Sequence, residues 1–103
     1  MNAKWKEGFI QDFSSLDHDK QQKVVEKVEK LENKGTEIDE VGLASNKETG
    51  VEAWKLKIKD EDIDQRIIFD IIDASAVLIA LGHRDDIYDN KKWRKVAERL
   101  REF

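Results

Sequence analysis

"VEAWKLKIKDEDIDQRIIFDIIDASAVLIALGHR", residues 51–84, is the stretch whose reading decides the fold. Its apolar residues recur at every second position, the period of a strand rather than of a helix. In VEAWKLKIK, Trp54, Leu56 and Ile58 point one way and Lys55, Lys57 and Lys59 the other. DEDIDQ makes an acidic turn. RIIFDIID puts Ile67, Phe69 and Ile71 on one face, with Arg66, Ile68 and Asp70 on the other. DAS turns the chain again, and AVLIALGHR is a third strand ending at a glycine and two basic residues. Short connections between such runs predict an antiparallel meander.

Upstream the period lengthens. Trp5, Phe9, Phe13 and Leu16 follow one another at spacings of four, four and three, a helical stripe over 5–16 with Ile10 beside it. Gly8 weakens a helix near its start, and residues 3–7 can instead form a short strand. The next segment is plainer. Asp17 is an N-cap, Val24, Val25, Val28 and Leu31 form an apolar face, and Gly35 supplies a stop, which predicts a helix over 17–34. Residues 35–50 read as a loop or irregular edge, tacked to the core by Ile38, Val41 and Leu43. Downstream, 89–103 read as a last helix, capped by Asp89 or Asn90, with Trp93, Val96, Ala97, Leu100 and Phe103 as its buried stripe. The sum is an α+β fold: an N-terminal helical hairpin packed on a small antiparallel β-sheet, then a C-terminal helix. The helices are expected to cover one face of the sheet and leave the other partly open.

Composition bounds the rest. A length of 103 residues suits one domain, 1–103, with a modest core. There is no cysteine, so neither disulfides nor a thiolate metal site are available. The opening residues lack the apolar run of a signal peptide, and no segment has the length of a membrane span. A cytoplasmic protein without a membrane partner is therefore expected. Charged residues make up 41% of the chain, with a net charge of −4, whereas nucleic-acid binders are usually basic. The distribution is uneven. All five arginines lie in the second half, and residues 91–103 carry six cations against Glu98 and Glu102.

The meander gathers chemistry on its polar face. Lys55 and Lys57 are two apart on one strand, Arg66 opens the next, and His83 and Arg84 close the third. Together they make a positive concavity of phosphate size. Other readings of the same residues stay open. Alternating lysine is also the look of a solvated strand, Arg66 can pair with Asp64 or Asp70, and Tyr88 can sit at the core edge with a wet hydroxyl. The tryptophans fall on apolar stripes and belong to the core. His18 is on a polar helix face and has no role. Two histidines sixty-five positions apart define no metal site, and no glycine-rich phosphate loop is present, so no cofactor is expected.

The ordered set AWKLKIKDEDIDQRIIFDIIDASAVLIALGHRDDIYD, 53–89, resembles the RelE/ParE toxin superfamily. Members show an aromatic-Lys-x-Lys-like strand, a strand opening Arg-[Ile/Val]-[Ile/Val]-[Tyr/Phe], and an apolar strand that ends in Gly, a basic residue and Arg, with a Tyr nearby. FIQDFSSLDHDKQQKVVEKVEKLENKG, 9–35, resembles the paired helices of the same group. The resemblance implies a bacterial toxin of a type II toxin–antitoxin pair, with a cognate antitoxin as partner.

For a RelE-like member it further implies endoribonuclease activity on mRNA at the ribosome. The ribose 2′-OH attacks the adjacent phosphate and leaves a 2′,3′-cyclic phosphate, without a metal. By position, Lys57 matches the general base and Lys55 a charge-stabilising lysine. A lysine serves as base where neighbouring cations depress its pKa. Arg66 matches the phosphate-binding arginine. Arg84 matches the arginine at the leaving group, with His83 beside it as an acid. Tyr88 matches the tyrosine that stacks on a base or orients the substrate. The acidic balance and the Asp85–Asp86 pair point to the other implied function: a non-catalytic binding module of the same fold, either a DNA gyrase inhibitor or a detoxified partner-binding protein.

Overall fold

The computed structural model describes residues 1–101. Ten elements follow one another: β1 (Asn2–Trp5), α1 (Glu7–Ser14), α2 (His18–Lys34), a 3₁₀ turn (Gly35–Glu37), β2 (Val41–Asn46), β3 (Val51–Lys59), β4 (Asp64–Ile72), β5 (Ser75–His83), α3 (Arg84–Ile87) and α4 (Asn90–Arg101). They build a five-stranded sheet in the order β1-β5-β4-β3-β2. The meander of β3, β4 and β5 is antiparallel throughout, as the period-two pattern predicts.

Three expectations are corrected. The chain opens with a strand, not with the helical hairpin: β1 pairs parallel to β5, so the sheet is mixed. Trp5 therefore leaves the helical stripe, yet it still packs edge-on against Phe9 and Phe13, at 5.0 and 5.1 Å between ring centroids. Within 35–50, read as a loop or irregular edge, Val41–Asn46 forms a regular edge strand, β2, paired antiparallel with β3. Finally, the helices divide between both faces. Phe9, Val24, Val28 and Leu31 of α1 and α2 pack on Leu56, Ile67, Phe69 and Leu78. Ile87, Trp93 and Val96 of α3 and α4 pack on Ile68, Val77, Ile79 and Ala80 on the opposite side. The apolar residues on both faces of β4 and β5 require that second cover, because exposed isoleucine and valine forfeit about 25 cal/mol for each Å² left in water.

Local chemistry sets the ends of the elements. The Asp17 carboxylate accepts the Lys20 amide at 2.9 Å, and Gly35 ends α2 with a φ of 71°. Asp89 accepts the Lys91 amide at 2.8 Å at the entry to α4. Phe103, expected on the buried stripe of that helix, lies outside the described residues. The β4–β5 turn is tight, and both Asp73 and Ala74 have positive φ, 51° and 62°. This is the backbone of a two-residue turn that fits strand twist, but alanine holds it at a cost.

Side chains close the outer edge of β5. β1 accompanies it only from Ser75 to Leu78. Beyond that point Asp12 of α1 accepts the Leu81 amide at 3.0 Å, and Arg99 of α4 donates to the Ile79 carbonyl at 2.8 Å. The same Asp12 oxygen receives Lys92 and Arg99, each at 3.1 Å. One carboxylate thus ties a helix on each face to the edge of the sheet between them.

Two substitutions test this account by urea denaturation. Asp12→Ala leaves a strand amide and two cations without their acceptor and should cost about 2 kcal/mol. Ala74→Gly relieves the left-handed turn and should gain about 1 kcal/mol. An Asp12→Ala chain as stable as wild type would contradict the edge clamp.

Candidate functional site

α3 and α4 cover only part of their face. Beside them lies a concavity of about 500 Å³ lined by Lys55, Lys57, Lys59, Arg66, Arg84 and Tyr88, with the Asp39–Gly42 segment as its far wall. Register explains the gathering. Lys57 stands opposite Arg66, and Arg66 stands opposite Gly82, so one row crosses three strands. Gly82 ends that row without a side chain. A Cβ there would lie 3.2 Å from the Ile87 Cδ1, so glycine lets α3 fold down onto the strand end. That descent carries Arg84 and Tyr88 to the rim.

A β-bulge decides which basic residue arrives. Ile68 pairs with Ala80 while Phe69 pairs with Leu78, which leaves Ile79 as an extra residue in β5. Strict alternation from Val77 would place Ile79, Leu81 and His83 on the α4 face. The extra residue shifts the parity, so Gly82 and then Arg84 fall there instead. His83 pairs with Gln65 on the opposite parity and does not line the concavity. Its Nδ1 accepts the Asp85 amide at 3.1 Å and caps α3. Asp85 and Asp86 are exposed on α3 and do not line the concavity either.

Of the six residues singled out from sequence, the structure brings together Lys55, Lys57, Arg66, Arg84 and Tyr88 and leaves His83 outside. Three charged lining residues were missed: Lys59, Asp39 and Glu40. The signal for Lys59 was present, since it continues the same alternation as Lys55 and Lys57. Among the described residues no group of three or more His, Cys, Asp or Glu side chains is gathered to hold a metal ion. No described helix is long and apolar enough to cross a membrane.

Each cation has a distinct setting. The Lys55 Nζ lies 5.6 Å from the centre of the Tyr88 ring, within cation–π range, and Tyr88 is 40% exposed. Arg66 is buried, with 7% of its surface exposed. Its Nη1 donates to Asp64 Oδ1 at 2.5 Å and to the Gln65 carbonyl at 3.1 Å. Burial opposes the Asp64 charge, but the Arg66 hydrogen bond and the charges of Arg66, Lys59 and Arg84 outweigh it, so the carboxyl lies below its ordinary value. On the far wall, Glu40 receives Lys30 at 2.5 Å and Lys27 at 2.9 Å, both from α2. These bonds, Lys30 foremost, hold its pKa at about 2, against an ordinary 4.5. The Glu40 carbonyl meanwhile accepts the Lys57 amide at 2.8 Å, which fixes the wall to the lysine strand.

No protein-family model matches the sequence, and no curated protein matches it. Solved structures do. A double arginine-to-alanine mutant of the E. coli toxin RelE in the free state aligns over 96% of this chain and 96% of that one, at 11% identity and a TM-score of 0.67. The isolated E. coli RelE toxin aligns over 90% and 96%, at 16% identity and a TM-score of 0.59. The intact E. coli RelBE toxin–antitoxin complex gives 80% and 94%, at 10% identity and a TM-score of 0.48. The chain has the RelE-like toxin fold.

The Glu40 knot makes the wall sensitive to acid. Its pKa falls on folding, so its stabilisation is complete above the unfolded value of 4.5 and is lost as the pH drops from there towards 2. Unfolding midpoints in urea, measured from about pH 6 down to about pH 2, should fall more steeply for wild type than for Glu40→Gln. Parallel curves would remove the knot from the stability of the wall.

Proposed function

We propose that the chain is the toxin of a bacterial type II toxin–antitoxin pair, a cytoplasmic endoribonuclease that cleaves mRNA on the ribosome and is held in check by a cognate antitoxin. The observation that carries this reading is the row Lys57–Arg66, joined by Arg84 in one concavity on a RelE-like fold. The reaction needs a base for the ribose 2′-OH, cations around the phosphorane, and a proton for the departing 5′-oxygen. In this reading Lys57 takes the 2′-proton as the 2′-oxygen bonds to phosphorus. Arg66 and Lys55 hold the equatorial oxygens. The bond from phosphorus to the 5′-oxygen breaks, Arg84 stabilises that oxygen, and water restores its proton. The products are a 2′,3′-cyclic phosphate and a 5′-hydroxyl. Tyr88, exposed and already facing a cation, offers a ring for a nucleobase to stack on. His83 has no part in this scheme.

The experiment is induction of the chain alone in a bacterial host, beside Arg66→Ala/Arg84→Ala, with mRNA 5′ ends mapped by primer extension. Growth arrest and new ends inside translated codons are expected for wild type and should be absent from the double mutant. Normal growth and intact mRNA from a folded, soluble chain would overturn the nuclease and favour a non-catalytic binding module. Binding to gyrase in the same cells would make that module the gyrase inhibitor.

A further inference from the structure

We infer that Asp64 is the resident counter-ion of Arg66 and opposes the binding of a substrate phosphate there, so that this one carboxylate sets the affinity of the concavity for phosphodiesters. The inference rests on the reading of the concavity as a phosphate site. Arg66 is too buried for water to solvate its charge, and an unpaired buried guanidinium is costly. Asp64 supplies the missing anion from two residues away on the same strand and the same face. It stands opposite Lys59 in register, and the charges of Lys59 and Arg84 also favour its ionised form. All three cations that favour it line the concavity.

A carboxylate and a phosphate offer a guanidinium the same chemistry. Asp64 and the Gln65 carbonyl together take both hydrogens of Nη1, which leaves Nε and Nη2 for an incoming anion. That anion meets an arginine whose charge is already compensated, with a negative neighbour behind it. Asp64 therefore stabilises the empty site and weakens the filled one.

Asp64→Asn separates charge from shape, because the amide oxygen can still accept from Nη1. The probe is a 2′-O-methyl oligoribonucleotide, which cannot form the cyclic phosphate and so reports binding without cleavage. By fluorescence anisotropy, Asp64→Asn should bind it about tenfold more tightly than wild type, and Asp64→Ser should also bind more tightly. Both variants should melt at lower temperature. A merely structural carboxylate can only lose affinity on removal, so weaker or equal binding by both variants overturns the inference. Equal binding that Arg66→Ala abolishes would do so while leaving the phosphate site intact. No binding by wild type or any variant would overturn the inference and the phosphate reading together. The wild-type chain gives an independent measure should the variants not fold. Orthophosphate titration should move the carboxyl ¹³C resonance of Asp64, and a resonance that stays still counts against it.

Discussion

The site depends on one irregularity in β5 and on the two side chains that satisfy it. Ile79 is the extra residue of the bulge, and a bulged residue loses its place in the ladder. Its carbonyl would face a sheet edge that β1 has already left. Arg99 takes that carbonyl, and Asp12 takes the Leu81 amide two residues on. An edge that would otherwise invite another strand is closed by charged groups. Because Asp12 comes from α1 and Arg99 from α4, the same contacts hold the two helical layers in step across the sheet. The parity of every residue after Ile79 follows, and with it the choice of Arg84 over His83 for the concavity.

Net charge misleads about such a site. The chain carries −4, yet the concavity collects five cations, with Asp39 and Glu40 as its lining acids. Of those two, Glu40 is spent on Lys27 and Lys30. At physiological salt, exposed charges further apart than about 8 Å are largely screened from one another. An acid beyond that range does little at the concavity, whereas a carboxylate in contact, such as Asp64 on Arg66, does a great deal. Distance from the lysine row, not the total, decides what an anion meets.

The sequence disclosed the meander because β3 alternates lysine with apolar residues, a contrast that marks both strand and face. It disclosed α2 through its cap, its valine stripe and its glycine stop. β2 was hidden, since Gly42, Ser45 and Asn46 carry no strand preference and the strand is held by β3 rather than by its own residues. β1 was offered only as an alternative over 3–7, because Trp5 lies at helical spacing from Phe9 and packs against it from a strand instead. The bulge left no trace at all. AVLIAL is apolar at every position, so a slip of one residue changes no pattern that a reader can see. That same run, apolar on both faces, called for cover on both, and the expectation of one open face overlooked it.

The parity shift also limits the chemistry within reach. The concavity has no imidazole in its lining, because His83 is spent as a helix cap on the other side of the strand end. What remains around the cation row is ammonium, guanidinium and one phenol, with the carboxylates of Asp39 and Glu40 on the far wall. Such groups are strong at holding charge in place and weak at moving protons, so in the proposed cleavage most of the rate enhancement would come from electrostatic stabilisation of the phosphorane. That demand explains the architecture. Cations aimed at one point repel each other and gain only if they are held still beforehand. Arg66 is fixed by burial and Asp64, Lys55 by the face of Tyr88, and Lys57 by a strand whose amide is tied to Glu40. Among the described residues, the Arg84 side chain has no hydrogen-bond partner to fix it, and it is placed by the descent of α3 over Gly82. Its position therefore inherits whatever tolerance the bulge and its clamp allow, and the edge of β5, on the far side of the sheet from the lysines, governs the site as directly as the residues that line it.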